Sequence, residues 1–226
     1  MKTIGILGGM SLESTLTYVA ELNRIVNQAL GGLHSPKLVV YSVDFDEIER
    51  MQALGEWERA GQVLHDAAKG LEAARADFII MATNTMHKVA PAITEGLGIP
   101  FLHIGTATGE ALARDGVTAV GLLGTRFTME EPFYREVIES FGIKVVVPDA
   151  ADRATVNAII YDELCKGVVK DSSAAEFQRV IAALASQGAQ AVVLGCTEIG
   201  MLVKTASLPS YDTTLIHVAA AAAIAL

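Results

Sequence analysis

The chain has 226 residues, 51% of them hydrophobic and 19% charged, which supports a sizeable core and excludes a disordered tail or a stapled mini-protein. With 17 basic against 26 acidic residues, a net charge of −9, and no basic cluster, the composition speaks against nucleic acid as a partner but not against an anionic small molecule. The longest nearly apolar stretch, Leu215–Leu226 with His217 inside it, falls well short of the roughly 20 residues that span a bilayer, and the N-terminal apolar run is too short for a signal peptide; a soluble, cytoplasmic protein without membrane partners is expected.

Short apolar runs alternate with longer segments of helical period. Thr3–Leu7 reads as a strand and Ser11–Leu30 as a helix, with Ser11 as N-cap and Glu13 in its first turn. Leu38–Val43 reads as a strand, Glu56–Ala74 as an amphipathic helix, and Phe78–Met81 and Phe101–Ile104 as further strands. The pattern then restarts: strand Ala119–Leu123, helix Glu131–Phe141, strand Val145–Val147, helices Thr155–Gly167 and Ala174–Gln187, strand Ala191–Leu194, and a final Ala-rich helix Thr214–Leu226. Such alternation predicts an α/β protein with parallel sheets covered on both faces. Gly5-Ile6-Leu7-Gly8-Gly9 resembles Gly121-Leu122-Leu123-Gly124-Thr125, and Ala82-Thr83-Asn84-Thr85 resembles Gly195-Cys196-Thr197-Glu198, at nearly equal offsets. Two similar halves are expected, residues 1–105 with 209–226 forming the first and 106–208 the second.

Ligands of open α/β sheets sit beyond the carboxyl ends of the strands. After the first strand, Gly8-Gly9-Met10-Ser11 permits a sharp turn with amide N–H groups at a helix start, suited to an anion or simply to a tight capped turn. After the third, Ala82–Lys88 gathers hydroxyls, an amide, an imidazole and an ammonium, able to orient a carboxylate or to cap a helix. Thr125 and Thr128 bracket the turn after Ala119–Leu123, with Arg126 the nearest cation. Cys196, directly after a strand and before a predicted helix, is where a helix dipole would favour a thiolate. Cys165 sits mid-helix and reads as packing. Two cysteines make no disulfide framework, and neither zinc-type spacing nor HExxH occurs, so no metal is expected.

Taken together, the segments 5–11, 82–88, 121–128, 195–202 and 211–214 resemble the aspartate/glutamate racemase family. That resemblance implies two pseudo-symmetric flavodoxin-like halves with an active-site cleft between them, a last helix returning to the first half, and homodimers. It implies cofactor-independent racemisation, without pyridoxal phosphate or metal, in which two thiols flank the substrate Cα. One departure matters. Where the family has Cys-Asn-Thr, this chain has Thr83-Asn84-Thr85, while Cys196 keeps the second position. The resemblance thus assigns catalysis to Thr83 and Cys196. It assigns binding of an acidic amino acid to Met10, Ser11, Gln52, Asn84, Thr85, Thr125, Thr128, Lys166 and Thr197, with Lys166 on the distal carboxylate and Arg50 as a second cationic candidate. An alcohol is a far weaker acid than a thiol, so three outcomes stay open: racemisation preferring one enantiomer, weak racemisation, or single-thiol decarboxylase or isomerase chemistry. A non-catalytic binder of acidic amino acids is the rival outside enzymes.

Overall fold

The computed structural model describes residues 1–203 and 206–226. Within them the chain divides into two compact units, Met1–Ile104 with His217–Leu226, and Gly105–Ile216.

The first unit is built on a parallel sheet of order β2-β1-β3-β4, made of β1 (Thr3–Gly8), β2 (Lys37–Ser42), β3 (Phe78–Met81) and β4 (Phe101–Leu102). Its central strands carry continuous apolar runs because both faces are covered. On one face Ile4, Ile6, Phe78 and Ile80 meet Tyr18 and Leu22 of α1 (Leu12–Leu30) and Val218, Ala221, Ala222 and Ala225 of the C-terminal helix. On the other, Leu7, Ile79 and Met81 meet α2 (Phe45–Leu54) and α3 (Trp57–Ala73) through Ile48, Met51, Leu64, Ala68 and Leu71. The two-residue period of a strand sorts its side chains between these layers. β2 is apolar in sequence yet leaves Val40 and Tyr41 exposed, because it stands at the sheet edge.

The second unit repeats the topology. Its order is β6-β5-β7-β8, from β5 (Ala119–Gly124), β6 (Lys144–Val146), β7 (Ala191–Gly195) and β8 (Ser210–Asp212). The register repeats too: Leu7 stands opposite Met81 in the first sheet, and Leu123 opposite Leu194 in the second. Helices α8 (Ala150–Asp162) and α9 (Asp171–Ser186) cover one face through Val156, Ile160, Phe177, Val180 and Leu184.

Some elements differ from the sequence reading. α4 (Ala90–Thr94), α5 (Ile104–Arg114) and α6 (Arg126–Glu130) appear where no helix was read, and α7 (Pro132–Glu139) is shorter than Glu131–Phe141. α8 starts at Ala150 rather than Thr155 because Asp149 caps it, accepting the Asp152 N–H at 2.9 Å. It ends at Asp162, and Leu164–Lys166 forms a separate 3₁₀ turn. The second unit also runs beyond residue 208. Ser210–Asp212 pairs with β7, so the chain leaves this unit only at Ile216. Asp212 then caps α11 (Thr213–Ala225), accepting the N–H groups of Thr214 and Leu215. That helix packs its Ala-rich end on the first sheet, and among the described residues no helix is long and apolar enough to cross a membrane.

Candidate active site

In each unit the polar motifs follow the two adjacent central strands. Beyond β1, Gly9 adopts φ +91, and a Cβ there would collide with the carbonyl of Val43. Thr15 locks this turn: its Oγ1 accepts the Gly9 N–H at 2.8 Å and donates to the Ser11 carbonyl at 2.9 Å. Ser11 caps α1 by accepting the Ser14 N–H at 3.3 Å. The Gly9 amide is thus spent inside the protein, and the turn is a fixed scaffold placing buried Met10 and Ser11. Gly9→Ala is expected to destabilise the fold by about 3 kcal/mol, from positive φ and backbone collision together. Urea unfolding checks this, and a loss below about 1 kcal/mol would contradict it.

Beyond β3, Ala82–Asn84 leads into a 3₁₀ turn, Thr85–Val89. Thr83, Asn84, Thr85 and His87 are all buried there. Gln52, near the end of α2, is buried against this turn and donates Nε2–H to the Met86 sulfur at 2.9 Å. Met10, Ser11, Gln52 and Thr83–Thr85 are therefore gathered at one end of one sheet. Arg50 is not: it stays solvated, paired with Asp46 at 2.8 Å. Lys88 lies over the ring of Trp57, 3.6 Å from its centroid. Among the described residues the Thr83 hydroxyl has no hydrogen-bond partner; its carbonyl faces His87 Nδ1 at 2.8 Å.

Behind this loop lies a cluster that the sequence did not reveal. The ring of His87 stands 4.4 Å from that of His103 and 6.1 Å from that of His217. His217 donates Nε2–H to the Leu102 carbonyl at 2.9 Å and accepts the Tyr18 hydroxyl at Nδ1, also at 2.9 Å. Burial holds all three imidazoles neutral, with the pKa of His103 and of His217 pushed down to about 4 and that of His87 well below its usual value. Among the described residues, no three His, Cys, Asp or Glu side chains are grouped to hold a metal ion.

In the second unit, Thr125 caps α6, its Oγ1 lying 3.4 Å from the Thr128 N–H and 3.3 Å from the Thr128 hydroxyl. Thr128 and Gly195 are packed closely, so the turns after β5 and β7 adjoin. Arg126 is exposed, its backbone N–H tied to Asn157 at 2.8 Å. Lys166 ends the 3₁₀ turn that packs against α10 (Ile199–Leu202), and its exposed ammonium is 4.0 Å from Asp162.

Cys196 departs from the expectation of a dipole-stabilised thiolate. It is buried, and the helix that follows is a single turn. Its Sγ–H donates to Glu198 Oε2 at 3.0 Å, and the Thr197 hydroxyl donates to the same oxygen at 2.6 Å. Burial first, then the Glu198 charge, push the thiol well above its usual pKa. At neutral pH Cys196 is thus a protonated acid aimed by a carboxylate. Glu198 was visible in the Cys196-Thr197-Glu198 run but carried no weight there, since spacing alone does not say which way two neighbouring side chains turn.

Both units place polar turns after equivalent strands, and a family model for Asp/Glu/Hydantoin racemase matches residues 7–221. The chain belongs to this racemase family. A crystal structure of a candidate Asp/Glu racemase from Yersinia pestis is similar at 49% identity and TM-score 0.92, covering 100% of this chain and 99% of that one. An aspartate racemase homologue from Pyrococcus horikoshii OT3 matches at 35% identity and TM-score 0.86, with the same coverage. Glutamate racemase of Francisella tularensis, solved with D-glutamate, shares the fold at 19% identity and TM-score 0.67, over 99% of this chain and 80% of that one. Glutamate racemase of Actinobacillus pleuropneumoniae serotype 5b is 26% identical over 128 residues, 56% of this chain and 47% of the relative, so the match spans about half of that protein. The two parallel four-stranded sheets are those of the two-domain racemase fold.

Proposed function

We propose that this racemase-family chain interconverts L- and D-aspartate or glutamate without a cofactor, using Thr83 and Cys196 as unlike acid/base groups. The observation that carries this reading is their equivalence. With Leu7 opposite Met81 and Leu123 opposite Leu194, Thr83 and Cys196 occupy the same position of two identically ordered sheets, just past the strand beside the central one. In one direction the Cys196 thiolate takes the α-proton: the Cα–H bond breaks, an S–H bond forms, and the electron pair delocalises into the substrate carboxylate. The Thr83 hydroxyl, or a water that it orients, then gives a proton to the other face and recovers one from solvent. Buried Gln52, Asn84, Thr85, Thr125 and Thr128 and half-buried Thr197 supply the hydrogen-bonding groups for the amino acid, with Met10 and Ser11 beside them. Lys166 reaches for the distal carboxylate, and the resemblance adds a homodimer.

The two enantiomers have equal free energy in water, so kcat/KM must be the same in both directions. The unequal pair therefore shows itself as a split of kcat against KM, and not as a one-way reaction. The test is incubation of each enantiomer of aspartate and glutamate in D2O, following Cα–H by NMR and chirality by chromatography. Deuterium entry with inversion supports racemisation; no entry from any of the four sinks it.

The lack of a partner for the Thr83 hydroxyl among the described residues favours one further reading, single-thiol chemistry. Deuterium would then enter with retention only. A binder that does no chemistry would gain thermal stability with aspartate and wash in no deuterium.

Because Cys196 is held protonated, kcat/KM is expected to climb about tenfold per pH unit above neutrality as thiolate forms. Glu198→Gln removes the charge while keeping an acceptor for the thiol, and should move that rise to lower pH. An unmoved pH profile would show that Glu198 does not set the protonation of Cys196.

A further inference from the structure

We infer that His87 is a positioning residue that fixes the Thr83 main chain for proton delivery, an inference that rests on the racemase reading. Thr83 lies outside regular structure, between β3 and the 3₁₀ turn, so no sheet or helix ladder sets its carbonyl. The imidazole four residues on takes that role. Its Nε2 receives the N–H of Ile104, the first residue of α5, at 3.2 Å. A backbone N–H can only donate, so Nε2 holds a lone pair and the ring proton sits on Nδ1. Nδ1–H then donates to the Thr83 carbonyl at 2.8 Å, which can only accept. One tautomer of one buried side chain thus ties the Thr83 loop to the start of α5.

The surroundings hold the ring in that state. His87 is 2% exposed, and its ring packs against those of Phe101 and His103, 5.6 and 4.4 Å away between centroids. An imidazolium would present a second N–H to the Ile104 N–H and lose that bond. A reacting group misplaced by about 1 Å costs on the order of 10²-fold in rate. The ring has the rigidity to prevent this, whereas a threonine in an unsupported loop has not.

Loss of the clamp damages the Thr83 face selectively. In His87→Leu, inversion is expected to fall at least tenfold. Deuterium exchange with retention, on the enantiomer that turns its α-hydrogen to Cys196, should stay within about threefold of wild type. His87→Gln carries a neutral donor and acceptor at similar separation and should restore most of the inversion. Both rates are read in the D2O assay, with melting temperatures recorded alongside. If His87→Leu does not fold, His87→Asn, whose shorter amide reaches the Thr83 carbonyl but not Ile104, serves with the same expected split. Equal losses of inversion and exchange, or unchanged inversion, overturn the inference and leave the racemase reading standing. A wild-type protein that exchanges no α-proton overturns both.

Discussion

Replacing Cys196 by alanine is expected to lower α-proton exchange of the preferred acidic amino acid by about 10³-fold or more, for both enantiomers. The thiol is the one group of the pair with a pKa that thermal fluctuation, substrate charge and alkaline pH can bring into range, and a positioned acid/base contributes about 10²–10⁴-fold by itself. An alcohol at the same place has no accessible ionised form, so Cys196→Ser should be nearly as inactive, although it keeps the hydrogen bond to Glu198. Both directions fail together because each inversion uses the thiol once, as base or as acid. The fold should survive: Cys196 lies at the end of β7, in a core otherwise formed by Leu123, Val156, Phe177, Leu194 and their neighbours. Thermal melting within a few degrees of wild type would confirm that activity and stability have been separated. Exchange retained above about a tenth of wild type would remove Cys196 from the reaction.

The second large effect is on stability. Unfolding of the first unit is expected to become much easier as pH falls from about 6.5 to about 4, the unfolded and folded pKa values of His103 and His217. In this window the unfolded chain binds protons that the folded chain refuses, so stability is full above about pH 6.5 and declines with every unit below. Each group costs up to about 1.4 kcal/mol per pH unit, so the two together remove about 6 kcal/mol by pH 4. A domain holds only about 5–15 kcal/mol. His87, whose pKa is lowered further, adds in the same direction. Glu72 acts at lower pH, since bonds from Lys69 and the Gly98 N–H depress its pKa from 4.5, and in the second unit Glu163 does the same through Ser173 and Lys170. Urea unfolding at pH 7.5, 6.0 and 5.0 separates the two groups of residues. His103→Gln should flatten the pH dependence by about one proton; a profile flat between pH 6.5 and 5 would show that these rings are not buried as neutral species.

The cluster behind that prediction shows why parts of this protein could not be read from its sequence. Tyr18 and His217 meet from opposite ends of the chain, and His217 reaches the carbonyl of Leu102, near its middle. No local pattern marks either contact, and an isolated histidine in an apolar segment looks like any packed residue. The same holds for Gln52 against Met86, and for Thr15 closing the Gly8-Gly9 turn. The strand-end motifs were legible for the opposite reason. A parallel strand buried on both faces must be a continuous apolar run, and the polar residues that follow it must lie at the carboxyl edge. The restart of the pattern near Ala119 was legible too, and the two sheets reproduce it down to register.

Sequence alone therefore determined the α/β class, the repeat, and the positions of Thr83 and Cys196 at equivalent strand ends, while the family resemblance marked Thr83 as standing in place of a thiol. These depend on periodicity and on residue type, both local. Tertiary structure decided the protonation. Cys196 is held as an acid and not a thiolate because burial and the Glu198 carboxylate outweigh a one-turn helix. Likewise, His87 is neutral with its proton on Nδ1 because Ile104 donates to the other nitrogen. Charge states follow from desolvation and from the direction of neighbouring dipoles, and those exist only once distant segments have been brought together.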